Sequence, residues 1–367
     1  MKNSKNIRIK RYLLDSIANG SLAVGDRAPS ENELSKMFGV HHSTAEKALR
    51  ELAYEGYIER RRGSGSYIAN PESSKTGNIA IIVNDVNSHF FADLIHEVQK
   101  QLEKYNRRLI FFGTSEKFSL EVEYINQLID KKQADGLLIV PALDVESSER
   151  RNFYRKLRGR NIPFVLLFPP DKQPECNTVF SDGRNGNRIA TEYLINQGYR
   201  NIAFIVHQLP DNNIMEQRLA GYRDALDAAG LPFDEKLLIK IPYPSMEYGF
   251  RAAEVWLNMC PRPDSVLAVA DILAVGFAMR LREHGIRIPE DIPLIGNGNI
   301  ELCRPENCNI SSLDDALDKV SEEAVKMLMA QLSVGKDVPS HVVIPQRLVV
   351  RPPVKRPALK PVPVSVG

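Results

Sequence analysis

The chain is 367 residues long and 43% apolar, enough for more than one sizeable core, and its net charge is only +2. That balance is uneven, because residues 1–70 carry 12 Lys/Arg against 8 Asp/Glu while residues 71–351 carry 33 against 38. No apolar run approaches the roughly 18 residues of a membrane span, the N-terminal cations precede no apolar stretch, and the four cysteines form no C-x-x-C, so the reading is a cytoplasmic protein without membrane, disulfide framework, metal or cofactor.

The first helix is expected over residues 5–19, with Ile9, Tyr12, Leu13 and Ile17 turned to a small core and Gly20 ending it. Ser30 followed three residues later by Glu33 is a capping-box pattern, and Leu34, Met37 and Phe38 give the next helix an apolar face. Gly39 and Val40 make a tight turn into a helix from His41 to Glu55, in which Ala45, Ala48, Leu49 and Leu52 recur at helical spacing. His42, Ser43, Thr44, Lys47 and Arg50 are left on its outward face. Short polar side chains and cations near a helix N-terminus suit entry into a major groove, the former reading base edges and the latter holding phosphates. Residues 57–62 and 66–68 read as two strands around Gly63-Ser64-Gly65, a wing.

These offsets resemble the DNA-binding domain of the GntR family, which pairs a "PSE.EL" helix with a "GV...T...AL..L..EG.I" recognition helix and a "G.G.(Y/F)(I/V)" wing. The likeness spans about the first 70 residues and implies DNA contact by Ser30, Glu31, His41, His42, Ser43, Thr44, Lys47, Arg50, Arg61, Arg62, Gly63, Ser64 and Gly65. Family members often carry Ser-Arg where this chain has His41-His42, and Arg where it has Glu46, so no operator sequence carries over. The run Arg60 to Arg62 has a second reading as a solvated strand edge, and the two histidines as surface residues at a helix start.

Residues 69–77 are polar and aperiodic and are assigned to a linker between a reader of residues 1–68 and a domain of residues 78–351. In that domain apolar runs at 79–83, 109–112, 136–140 and 164–167 alternate with helices around 91–105, 120–132 and 148–158. A second series has strands at 202–206, 238–241, 266–270 and 294–296, with helices near 184–197, 215–229, 249–259 and 273–284. Such alternation calls for parallel sheets covered on both faces, and two series call for two lobes with a ligand cleft between them. The fold class is thus a small α/β winged helix-turn-helix domain followed by a bilobed α/β domain with two parallel sheets.

The stretches IAIIVNDVNSHFFADLIHEVQKQLEKY, DGLLIVP, the run from Ser181 to Ile205, Arg218-Leu-Ala-Gly-Tyr222 and ADILAVGFAMRLREHGIRIPEDIPLIG resemble, in order, the effector-binding domain of the LacI/GalR family, which has the periplasmic-binding-protein type I fold. The resemblance implies a pocket drawing on Asn87, Ser88, His89, Phe90, Asp182, Arg218 and Asp271, with Asn297 and Asn299 as amide contacts. Carboxylates that accept hydroxyl hydrogens, a guanidinium fork and an aromatic face suit a polyhydroxylated ligand. Asp182 and Asp271 have second readings as helix caps, Arg218 as a surface pair and Phe90 as core. Ala270 stands where the family often has Asn, Gly296-Asn297-Gly298-Asn299 replaces its G-Y/F-D-D, and His89 replaces a proline, which leaves the pocket less acidic.

A closing amphipathic helix is expected over 316–332, then short strands at 342–344 and 348–350. Five prolines among residues 352–367 mark an extended tail. The whole reads as a homodimeric regulator of transcription that binds operator DNA and answers a small carbohydrate, a repressor of carbohydrate-utilisation genes. The alternatives are an activator or a co-repressor-dependent regulator of a non-sugar metabolite, and a transport-type binding protein. No Walker loop, G-x-S-x-G or metal-spaced histidines support an enzyme.

Overall fold

The computed structural model describes residues 5–61, 64–69, 76–207, 213–304, 308–334 and 339–351. Arg62 and Gly63 of the wing, most of the 69–77 linker and the 352–367 tail lie outside them. Two compact units make up the chain, residues 1–78 with 132–135 and the remaining residues.

In the first unit, helices α1 (Lys5–Ala18), α2 (Glu31–Phe38) and α3 (His42–Tyr54) precede an antiparallel hairpin of β1 (Ile58–Arg61) and β2 (Gly65–Ile68), in which Ile58 faces Ile68 and Arg61 faces Gly65. Both halves of the capping box form: the Ser30 hydroxyl accepts from the Glu33 N–H and the Glu33 carboxylate from the Ser30 N–H. Gly39 ends α2 in the left-handed region at φ 58°, where a side chain is disfavoured. Ile9, Leu13, Leu34, Ala45, Ala48, Leu49, Leu52, Ile58 and Ile68 form the core. Met37, expected inside, is 56% exposed, and Phe38 takes the inward place beside the Tyr12 ring.

The second unit holds β3 (Asn78–Val83), α4 (His89–Glu103), β4 (Arg108–Gly113), α5 (Phe118–Asp130), β5 (Gly136–Ile139), α6 (Ser147–Gly159), β6 (Phe164–Leu167), β7 (Thr178–Ser181), α7 (Gly183–Asn196), β8 (Ile202–His207) and α8 (Asn213–Ala228). These are followed by β9 (Leu238–Ile241), α9 (Met246–Leu257), β10 (Ser265–Ala268), α10 (Asp271–Glu283), β11 (Leu294–Asn297), β12 (Ser311–Asp314), α11 (Leu317–Val334), β13 (His341–Ile344) and β14 (Arg347–Val349). They build two six-stranded sheets, of order β13-β7-β6-β5-β3-β4 in the first lobe and β14-β12-β11-β10-β8-β9 in the second. Pairing is parallel along β3-β5-β6-β7-β13 and along β9-β8-β10-β11-β12, and β14 runs antiparallel to β12. The second sheet is therefore mixed at one edge rather than wholly parallel.

Strands β7 and β12 were absent from the expected series because TVFS and SSLD lack an apolar run. They are also where the chain changes lobe. After β7, α7 buries Ala190 and Leu194 in the second lobe; after β12, α11 returns to bury Val320, Ala324 and Leu328 in the first; between β13 and β14 the chain crosses a third time. The three crossings are tied to each other. The Ser181 hydroxyl donates to the Asp315 carbonyl, the Asp182 N–H to the Ile344 carbonyl, and the Gln346 amide to the Asp315 carboxylate.

Candidate nucleic-acid interface and ligand cleft

On α3 the inward alanines and leucines fix which side chains face out. His41 is the N-cap, its Nδ1 accepting from the Ser43 N–H, and so opens the helix rather than lying within it. His42, Ser43, Lys47 and Arg50 are exposed and Thr44 is half-buried. His42 Nε2 lies 3.3 Å from one carboxylate oxygen of Glu31, and Arg60 of the wing donates to the other at 2.7 Å. One acidic residue on α2 therefore braces both the recognition helix and the hairpin. Arg50 pairs loosely with Glu46 at 3.7 Å, and Arg61 pairs with Glu59 and stacks over the Tyr67 ring. The Ser64 hydroxyl meets the Tyr67 hydroxyl at 2.7 Å, and Gly65, at φ 111°, passes under Arg27. The surface is a helix N-terminus flanked by cations and a hairpin, dimensions that suit a major groove and its phosphates.

In the second unit a cleft of about 400 Å³ lies beside the first and second crossings. Arg218 on α8 reaches it. Its Nη1 donates to the Val269 carbonyl at 2.6 Å, while Nε is buried without a hydrogen-bond partner among the described residues. Burial lowers the pKa of this guanidinium, opposed by the carboxylates of Asp315 and Asp271. Asp315 also lines the cleft; it is 2% exposed, and burial raises its pKa against the pull of Arg218. Helix α8 can come this close because Gly221 has no side chain: a Cβ there would sit 1.9 Å from the Arg184 carbonyl of α7. Across the cleft, the loop after β6 is pinned by Asp171, which accepts from the buried Arg150 at 3.4 Å and from Gln173 at 2.5 Å.

Of the expected pocket residues, Asp182 and Arg218 line this cleft. Asp182 is also the cap of α7, its Oδ1 accepting from the Asn185 N–H at 3.0 Å. Phe90 sits one ring away, edge to face with Phe168 of the cleft wall at 5.4 Å. Asn87 and His89 are exposed at the start of α4, and Ser88 caps that helix without a side-chain hydrogen bond. Asp271 is placed otherwise than expected. It is 1% exposed, and its carboxylate accepts from the Ser312 hydroxyl at 2.7 Å and the Ile300 N–H at 2.9 Å, ties that join α10 to β12. Burial nevertheless pushes its pKa up to about 6. Asn299 likewise turns its carbonyl oxygen to Arg351, and Asn297 is 5% exposed with its Nδ2 unpartnered among the described residues. Sequence reasoning did not single out Phe168, Asp171 and Asp315, which also line the cleft; only the doublet Asp314-Asp315 after a polar strand carried a signal.

Residues 6–68 match the family model described as bacterial regulatory proteins, gntR family, and residues 191–352 match that of the periplasmic binding protein-like domain. An arabinose metabolism transcriptional repressor from Geobacillus stearothermophilus is 23% identical, covering 89% of this chain and 91% of its own length. The HTH-type transcriptional repressor PurR of Vibrio atlanticus is 28% identical over 78% of this chain and 84% of its own. Among solved structures, a transcriptional regulator CelR-cellobiose complex aligns at a TM-score of 0.65 and 23% identity, covering 88% of this chain and 99% of that one. A LacI family transcriptional regulator from Enterococcus faecium with bound ribose aligns at 0.66 and 23%, covering 77% and 100%. The chain thus carries a gntR-family helix-turn-helix match at residues 6–68 and a periplasmic binding protein-like match at residues 191–352, and over most of its length it is similar to arabinose metabolism transcriptional repressors.

Proposed function

We propose that this protein is a cytoplasmic, non-enzymatic repressor of carbohydrate-utilisation genes that binds its operator as a homodimer and leaves it when a small polyhydroxylated effector occupies the cleft. Residues 1–68 are the reader, 69–77 the linker and 78–351 the sensor. The observation that carries the reading is the pairing, in one chain, of an outward polar helix face with a cleft lined by Arg218, whose Nε has no hydrogen-bond partner among the described residues, and by the carboxylates of Asp182 and Asp315. One recognition helix touches few bases, so two readers on a near-palindrome are needed for useful specificity. A ligand that favours one arrangement of the two lobes at the three crossings changes DNA affinity only if the two arrangements differ in their fit to the operator. The reader contacts on this reading are Ser30, Glu31, His41, His42, Ser43, Thr44, Lys47, Arg50 and the wing.

The test is selection of an operator from random duplexes with the full chain, followed by fluorescence anisotropy with pentoses, hexoses, uronic acids and disaccharides. A near-palindromic site bound by two chains and released by one sugar class is the expected result. Unselective DNA binding, or a selected site indifferent to every sugar, refutes it.

A further inference from the structure

The first lobe has a second end, away from the cleft, where its strands begin. Strands β3, β5, β6 and β7 run parallel, and the Thr114 N–H after β4 bonds the Val83 carbonyl of β3 at 2.9 Å, so the α4–β4, α5–β5 and α6–β6 loops all emerge at that end. The Asp135 N–H bonds the Asn78 carbonyl at 2.8 Å and the Leu137 N–H the Pro163 carbonyl at 3.0 Å, which sets the beginnings of β3, β5 and β6 side by side.

These loops are basic. Counted with the last turn of each helix, residues 100–107, 127–135 and 156–163 hold eight Lys/Arg against three Asp/Glu, although residues 71–351 as a whole carry more carboxylates than cations. Peptide dipoles favour cations at any helix C-terminus. The second lobe removes that explanation: its α7–β8, α8–β9, α9–β10 and α10–β11 connections also lead into parallel strands, yet residues 193–201, 225–237, 254–264 and 280–293 hold six Lys/Arg against eight Asp/Glu. Lys104, Lys131, Lys132 and Arg160 are exposed. Lys104 donates to the uncharged Gln101 amide at 2.7 Å, Arg160 lies 3.6 Å from Asp130, and Lys131 and Lys132 have no ion pair among the described residues. Lys132 stands at φ 49°, the left-handed place that Asn106 (φ 52°) and Asn161 (φ 57°) fill in the neighbouring loops and that does not favour a lysine.

The one carboxylate between helix and strand in the three loops, Asp135, is turned to the incoming chain, accepting from the Thr76 N–H at 2.7 Å, the Thr76 hydroxyl at 2.9 Å and the Gly77 N–H at 3.0 Å. The chain thus enters from the reader at this end. Residues 69–77 can span at most ~32 Å, about one turn of duplex, a tether that gives any DNA held by the reader a high effective concentration at these loops.

We propose that the three loops are a second DNA contact, a sequence-independent seat for the phosphates of the duplex that the reader holds. This rests on the DNA-binding reading of residues 1–68.

Lys104→Gln, Lys131→Gln and Lys132→Gln together remove three charges from this end. Lys236→Gln, Arg282→Gln and Arg287→Gln remove three exposed charges from the matching connections of the second lobe and control for net charge. Each full-length chain is titrated by fluorescence anisotropy at four salt concentrations, on the selected operator and on a random duplex of equal length. The first variant should bind both duplexes more weakly by one common factor, leaving their affinity ratio unchanged, and its slope of log affinity against log salt should be lower by ~0.9 to ~2.7 per bound chain. The second should match the wild type. An unaltered slope for the first variant, or an equal fall in both, overturns the inference. A loss confined to the operator also overturns it, because it places the effect in the reader's own base contacts. If selection yields no operator, the operator reading fails, and the random duplex still decides this one.

Discussion

Replacing Lys47 by Ala tests the recognition surface most cleanly. Among the described residues of α3 and the hairpin, Arg50, Arg60 and Arg61 each have a carboxylate partner, whereas Lys47 is exposed and has no ion pair. A phosphate contact by Lys47 is therefore unopposed, and each one releases about 0.9 counterion. Two readers on a two-fold operator lose two such contacts, so the slope of log affinity against log salt should fall by ~1.8. Between 50 and 200 mM salt the wild type should then lose ~12-fold more affinity than Lys47→Ala. Fluorescence anisotropy on the selected operator at four salt concentrations measures both slopes. Glu46→Ala, which frees Arg50 from its 3.7 Å partner, should change affinity in the opposite direction. An unchanged slope for Lys47→Ala refutes the placement of α3 in the groove.

Asp271 carries a pH prediction. Its folded pKa of about 6 lies above the ordinary 3.8, so the stability it contributes is complete below the unfolded pKa and is lost as pH rises through 6. From pH 4 to pH 7 the wild type should lose about 2 kcal/mol relative to Asp271→Asn. Guanidinium unfolding followed by Trp256, the only tryptophan and a buried member of the same lobe's core, measures the difference, and a pH-independent gap contradicts it. Gly221→Ala drives a Cβ to within 1.9 Å of the Arg184 carbonyl, so α7 and α8 must part; a loss of about 3 kcal/mol by the same probe and weakened effector binding through Arg218 are expected. Wild-type stability and response would show that the helices part without cost. Ser30→Ala removes the cap of α2 and should cost about 1 kcal/mol, read as faster hydrogen exchange across residues 31–38; unchanged exchange would mean the box is not formed in solution.

Local chemistry was enough to read the reader domain. Ser30 and Glu33 cap their own helix, Gly39 stops it, and the inward residues of α3 lie within two turns of each other, so the signals that define these two helices are short in sequence. Met37 is the exception: its spacing fits an apolar face, but α2 is only eight residues long and Phe38 fills the space beside Tyr12. In the larger unit the alternation of apolar runs with amphipathic helices was legible as two series, because strands buried on both faces must be apolar.

The amino-acid order by itself determined the element types, the capping and turn residues, and a pattern demanding two doubly covered sheets. It did not determine which lobe each strand joins or where the polar groups of the pocket point. Strands β7 and β12 each end where the chain leaves one lobe for the other and are built of Thr-Val-Phe-Ser and Ser-Ser-Leu-Asp, so they carry no apolar signal. The carboxylate of Asp271 is claimed by Ser312, 41 residues on, and the Asn299 amide by Arg351, 52 residues on. Arg218 meets Asp315 only when α8 packs beside the second crossing. A polar side chain is free for a ligand only when no other residue satisfies it, and the partner that satisfies it is chosen by tertiary packing rather than by its neighbours in the chain.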